Sequence, residues 1–73
     1  MPLLAVLSPA LDPAALRRAR LAAGYTIFDV GAATGRTPSV VARYERGLID
    51  PPASVLAALA GLYRVNPGTF FTQ

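Results

Sequence analysis

The chain has no cysteine and no histidine. Without thiols, neither a disulfide framework nor a thiolate metal site can hold it together. Without imidazole, the commonest metal ligand and general base is missing. Lysine is absent as well, so all seven basic residues are arginines, set against four acids for a net charge of +3. The acids, Asp12, Asp29, Glu45 and Asp50, are scattered along the chain. They form no acid/base or nucleophile constellation, so an enzyme is not expected, and neither is a metal or other cofactor. No apolar run is long enough to span a membrane. Met1–Leu7 is apolar, but it is short and lacks the basic flank of a signal peptide, so cytoplasmic residence with no membrane partner is expected.

What is present is compact and strongly punctuated. The 73 residues are 53% hydrophobic, enough for one small domain with a dense core. The pI near 10.2 favours an anionic partner, although the excess charge is mild. Four times a cap residue precedes proline: Asp12-Pro13, Thr37-Pro38, Asp50-Pro51 and Asn66-Pro67. Each pairs a side-chain acceptor at the N-cap with a pre-set φ at the first helical position. Gly24, Gly35 and Gly47 read as stops. Five helices follow, at about Pro13–Ala23, Ile27–Thr34, Pro38–Arg46, Pro52–Tyr63 and Pro67–Phe71.

Apolar spacing gives each helix an inward face. In the first, Leu16, Ala19 and Ala23 align, with Leu21 beside them. In the second, Ile27, Val30 and Ala33 or Thr34 do so. Val40, Val41 and Tyr44 are the inward candidates of the third. Val55, Leu56, Leu59, Leu62 and Tyr63 form a wide stripe on the fourth, and Phe70 and Phe71 close the domain.

The span Thr26–Gly47, TIFDVGAATGRTPSVVARYERG, is the most informative. Thr26 and Asp29 make a weak capping box, Gly35 ends the second helix, Thr37 caps the third and Gly47 stops it. Two short helices joined by a tight turn are the frame of a helix-turn-helix, whose second helix can enter a DNA major groove. Gly31 sits mid-helix at a cost of about 1 kcal/mol against alanine, which a close helix–helix crossing would explain.

These residues carry a family resemblance. The stretch Leu16–Phe71 resembles the Cro/phage-repressor-type, or XRE-like, helix-turn-helix family, through LRRARLAAGYT, the helix-turn-helix, RYERGLIDPP and LAALAGLYRVNPGTFF. The resemblance implies an all-α, compact five-helix domain of the lambda-repressor-like kind, usually dimeric on a palindromic operator, with Pro38–Arg46 as reading helix. It also implies a structural pair between Arg20 and Glu45, a role that arginine suits through bidentate contact with a carboxylate. The sequence departs from the family at Ile27, where glutamine is frequent. It departs again at Arg36, where an apolar turn residue is usual.

The expected DNA-binding residues are Arg43, Ser39, Arg36, Arg46, Thr37, Pro38 and Ala42. Ser39 and Arg43, one turn apart, are the only residues on the reading face able to hydrogen-bond base edges. Arg36 and Arg46 suit phosphate. Thr37 is first a cap, with its hydroxyl near phosphate, and Pro38 and Ala42 offer apolar contact alone. Arg17 and Arg18 read first as a solvated face of the first helix, with contact to the DNA backbone as the alternative. Residues 1–11 form an apolar N-terminal arm outside the domain, 12–73. In it, Leu3, Leu4, Val6 and Leu7 are candidate dimer contacts, as is Phe71 at the far end.

The expected function is a sequence-specific transcriptional regulator, a repressor acting as a homodimer on double-stranded DNA and associated with the nucleoid. No sensing domain is expected within these 73 residues, so control is expected to fall to concentration or to a regulatory protein partner. The rival reading is a protein-interaction module or antitoxin-like protein on the same fold.

Overall fold

The computed structural model describes residues 10–72; the candidate arm contacts Leu3, Leu4, Val6 and Leu7 lie outside them. Four α-helices follow one another: α1 (Pro13–Ala23), α2 (Ile27–Thr34), α3 (Pro38–Arg46) and α4 (Ala53–Tyr63). A 3-10 turn, Pro67–Phe70, takes the place expected for a fifth helix. The chain then closes on itself, with β1 (Ala10–Leu11) antiparallel to β2 (Phe71–Thr72), Ala10 opposite Thr72 and Leu11 opposite Phe71.

Local chemistry sets the first three helix starts. Asp12, Thr26 and Thr37 each adopt extended backbone and accept from an amide of the first turn, at 3.2 Å from Ala14, 3.1 Å from Asp29 and 3.2 Å from Val40. At α2 the box is reciprocal, because the Thr26 amide donates to Asp29 Oδ2 at 2.9 Å. Gly35 ends α2 at φ 67°, in the left-handed region that a β-carbon disfavours.

The fourth helix ends at Tyr63, as expected, but its start differs. Asp50 is exposed and caps nothing. Pro52 occupies the N-cap without any side-chain bond, so α4 begins at Ala53. Two consecutive prolines remove two amide donors that a cap would serve, and Pro51 is buried instead. At the other end Arg64 takes the left-handed conformation, φ 58°, usually filled by glycine. Phe71 belongs to β2 and not to a helix, because a two-residue pairing with Leu11 draws it into extended backbone.

The core runs between all four helices and the 3-10 turn. Leu16, Val30 and Phe70 are fully buried, joined by Ala19, Val41, Tyr44, Val55, Leu59, Ala60 and Tyr63. Tyr63 lies edge-on to Phe70 with centroids 6.4 Å apart and tilts against Tyr25 at 6.2 Å. Ala23, Ile27, Val40, Leu56, Leu62, Leu11 and Phe71 pack half-buried around this centre. Leu21 turns outward, against expectation, and is 52% exposed; of the two alternatives on the second helix, Thr34 is half-buried and Ala33 exposed. A helix's apolar residues outnumber the positions that four short helices can cover, so some face solvent.

Candidate nucleic-acid interface

The relation of α2 to α3 rests on Gly31. A β-carbon built there would meet the Arg36 carbonyl oxygen at 2.6 Å, and the Pro38 nitrogen and Thr37 carbonyl carbon at 3.4 Å. The element that crowds Gly31 is therefore the turn itself, not a crossing helix. The Arg36 amide closes the turn by donating to the Gly31 carbonyl at 2.9 Å. Absence of a side chain lets the chain reverse tightly enough to bring α3 back across α1 and α2, against both of which it packs.

A second tie fixes α3 to α1. Arg20 Nε donates to Glu45 Oε2 at 2.7 Å and its Nη2 donates to Oε1 at 3.0 Å, a two-pronged contact. Its Nη1 donates to the Tyr25 carbonyl at 2.9 Å. Both side chains are nearly buried, at 10% and 7% exposure. The hydrogen-bonded Glu45 carboxylate raises the Arg20 pKa further above its ordinary value, against the opposing effect of burial. No buried side-chain nitrogen or oxygen among the described residues lacks a partner.

With Val41 and Tyr44 held in the core, the opposite face of α3 points outward. Ser39, Arg43 and Arg46 are all exposed and follow at four and then three residues, one stripe along the helix. Ala42 and Pro38 are half-buried beside that stripe. Thr37 is exposed, and its hydroxyl is committed to the cap on the Val40 amide. Arg36 is exposed in the turn, its Nη1 donating to the Thr34 carbonyl at 3.2 Å, across the end of α2. Phe71 is half-buried, opposite Leu11.

These local ties leave a helix-turn-helix with one outward face carrying arginine. A helix-turn-helix domain model matches residues 14–69. The chain belongs to the helix-turn-helix domain family. Its helix-turn-helix fold is similar to that of the P22 c2 repressor protein, solved in complex with synthetic operator 9T in the presence of Tl+. The TM-score is 0.74 at 20% sequence identity, over 84% of this chain and 92% of that one. At that identity the likeness is one of fold. No curated protein matches the chain.

Within this helix-turn-helix domain, α1 contributes more than its sequence suggests. Arg18 donates to Asp12 Oδ2 at 3.1 Å, across the helix start. Arg17, one residue earlier, is exposed, as the sequence leads one to expect, and also borders a cleft of about 370 Å³. Arg20, Ile27, Ala42, Glu45 and Arg46 complete its lining. Helical spacing places Arg17 on the exposed side of α1, but its convergence with Arg46 depends on how α1 packs against α3. Nothing in the sequence signals that packing except the Arg20–Glu45 pair.

Proposed function

We propose that this helix-turn-helix protein is a sequence-specific, double-stranded-DNA-binding transcriptional regulator, a repressor in the simplest form, with α3 as its reading helix. The observation that carries the reading is the stripe of Ser39, Arg43 and Arg46, exposed on a helix whose other face is locked into the core. Major-groove reading needs such a helix, supported at its back and carrying donors at its front. Arg43 suits guanine through a bidentate contact, Ser39 accepts or donates to a base edge, and Pro38 and Ala42 supply apolar surface for a thymine methyl. Arg46, at the far end of the stripe, and Arg36 and Thr37, beside its start, are positioned for passing phosphates. The P22 c2 repressor, similar in fold, carries operator DNA in its solved complex, which supports the same partner here.

Action as a homodimer is part of the proposal. Two copies bound one helical turn apart would each read a half-site. The support is the apolar sequence Leu3, Leu4, Val6 and Leu7, joined to the domain through residues 10–11. A domain of 12–73 with residues 1–11 as an arm goes with this reading, the arm being anchored to the domain where Ala10 and Leu11 pair with Thr72 and Phe71, as does residence with the nucleoid in the cytoplasm.

A second reading, a protein-interaction module regulated by a partner, is favoured by one observation. Phe28 and Leu48 are 68% and 66% exposed, on α2 and just beyond α3. Large apolar groups left in water on a small domain mark surfaces that a partner can cover.

Titration of the purified protein with mixed genomic duplex fragments at two salt concentrations separates the readings. Affinity that falls steeply with salt, with a subset of fragments retained at the higher salt, supports DNA recognition. Absence of duplex binding at both concentrations contradicts it.

A further inference from the structure

A hollow of about 250 Å³ opens where the α1–α2 corner meets the end of α4, lined by Ala23, Tyr25, Leu62, Tyr63 and Arg64. It lies apart from the outward stripe of α3, no residue of which lines it. The rings of Tyr25 and Tyr63, inclined at 34°, form its walls with the half-buried Ala23 and Leu62. Arg64 is the one charged group in the lining. It is exposed, and its guanidinium takes part in no hydrogen bond or ion pair among the described residues.

The backbone of Arg64 is unusual as well. The first three helices end on Gly24, Gly35 and Gly47 in the left-handed region, whereas α4 ends there on Arg64, at φ 58°. A β-carbon in that region costs stability that glycine would not. Strained backbone of this kind clusters at functional positions. Here the strained residue carries a free guanidinium at the mouth of an aromatic hollow.

The lining selects the ligand. A single guanidinium takes a single carboxylate through two parallel hydrogen bonds. The carbonyl end of α4 lies beside it with partial negative charge, which opposes a multiply charged anion such as phosphate. Aromatic walls favour a planar ring packed edge-on or offset. The volume falls below the range that starts at about 300 Å³ for drug-sized ligands, so one ring suits it. We infer that this hollow binds a small monocyclic aromatic carboxylate, its carboxylate on Arg64 and its ring against Tyr25 and Tyr63.

The place of the hollow gives such binding a consequence. The Tyr25 carbonyl accepts from Arg20 Nη1 at 2.9 Å, and the other donors of Arg20 hold Glu45 in the last turn of α3. A ligand that ties Tyr25 to the end of α4 braces the residue on which Arg20 rests. It favours the arrangement in which α3 is held, so bound ligand raises duplex affinity. By linkage, duplex raises ligand affinity by the same factor. This consequence alone rests on the DNA-binding reading; occupancy of the hollow does not.

The test uses benzoate as probe on the full chain at constant ionic strength, with acetate, benzamide and inorganic phosphate for comparison. Amide shifts in NMR should show saturable benzoate binding with a Kd of about 1 mM, centred on Ala23, Tyr25, Leu62, Tyr63 and Arg64. Acetate lacks the ring, benzamide the charge and phosphate the ring, so each should bind at least about tenfold more weakly. Arg64→Gly should weaken benzoate about tenfold or more while melting no lower than the unaltered protein, because glycine suits the left-handed position. Ala23→Leu, which fills the hollow and leaves Arg64 in place, should weaken it as well. Saturating benzoate should raise duplex affinity about fivefold, and Arg64→Gly should abolish that rise.

Acetate or phosphate binding as tightly as benzoate, or benzoate binding unchanged in Arg64→Gly, would reduce the effect to general attraction of anions and overturn the site. Shifts centred elsewhere, or shifts that never saturate, would do the same. A lower melting temperature for Arg64→Gly would assign the arginine to the end of α4 and overturn the inference from its strain. Benzoate bound with duplex affinity unchanged would overturn the link to α3. If the unaltered protein binds no duplex while benzoate still saturates, the DNA-binding reading falls and the site stands.

Discussion

The guanidinium of Arg20 grips the carboxylate of Glu45 with two hydrogen bonds, 2.7 and 3.0 Å long, joining the last turn of α1 to the last turn of α3. This contact sets the angle at which the outward face of α3 is presented. Its value lies in that orientation, because desolvating two charges offsets much of their attraction.

The pair should therefore show strong coupling. Arg20→Met leaves Glu45 nearly buried and uncompensated, and should destabilise the fold by about 3 kcal/mol, as should Glu45→Met in the reverse sense. The double variant should be more stable than the sum of the singles predicts. Urea unfolding of the four proteins measures the coupling, and additive effects would show that the contact is screened and weak.

Gly31 and Gly61 should respond in opposite directions to alanine. Both lie inside helices, where alanine is intrinsically better by about 1 kcal/mol. At Gly61 nothing stands within 4 Å of a new β-carbon, so Gly61→Ala should stabilise by about 0.5–1 kcal/mol. At Gly31 the Arg36 carbonyl is 2.6 Å from that carbon, and backbone cannot step aside as a flexible side chain would. Gly31→Ala should destabilise by about 1–3 kcal/mol and disturb the turn that aims α3. Melting temperatures that rise for both variants would contradict the close approach.

Tyr63 should make the fold sensitive to alkali. Burial, reinforced by the nearby Glu45 charge, pushes its pKa up to about 12 from 10.0. The folded value lies above the unfolded one, so the contribution of Tyr63 is complete below about pH 10 and is lost as pH rises through about 12. At about 1.4 kcal/mol per unit, the loss across that window is about 2 kcal/mol. Tyr63→Phe should flatten the stability profile there, and an equally steep profile would exclude Tyr63 as its source.

The legible parts of the fold are those whose causes are local. Asp12, Thr26 and Thr37 announce α1, α2 and α3 because a cap needs only the residue and the next turn. Asp29 announces the capping box in the same way. The pairing of Leu11 with Phe71 is silent in the sequence, since two residues per strand are too few for alternation and their partners lie at opposite ends of the domain. Asp50 misleads because a cap signal does not register the second proline that follows it. In the site, the outward stripe of Ser39, Arg43 and Arg46 follows from helical spacing, whereas the meeting of Arg17 with Arg46 and Ile27 exists only once α1, α2 and α3 are packed.

The most direct test of the account is selection of duplexes from a random library by the purified protein and by Arg43→Ala in parallel. The unaltered protein should enrich a pseudo-palindromic sequence with half-sites about one helical turn apart. Arg43→Ala, folded to the same extent, should lose preference at one base pair in each half-site and about 1–3 kcal/mol of affinity for the selected sequence. A library that emerges unenriched, or an Arg43→Ala variant selecting the same sequence with the same affinity, would contradict the assignment of α3 as the reading helix.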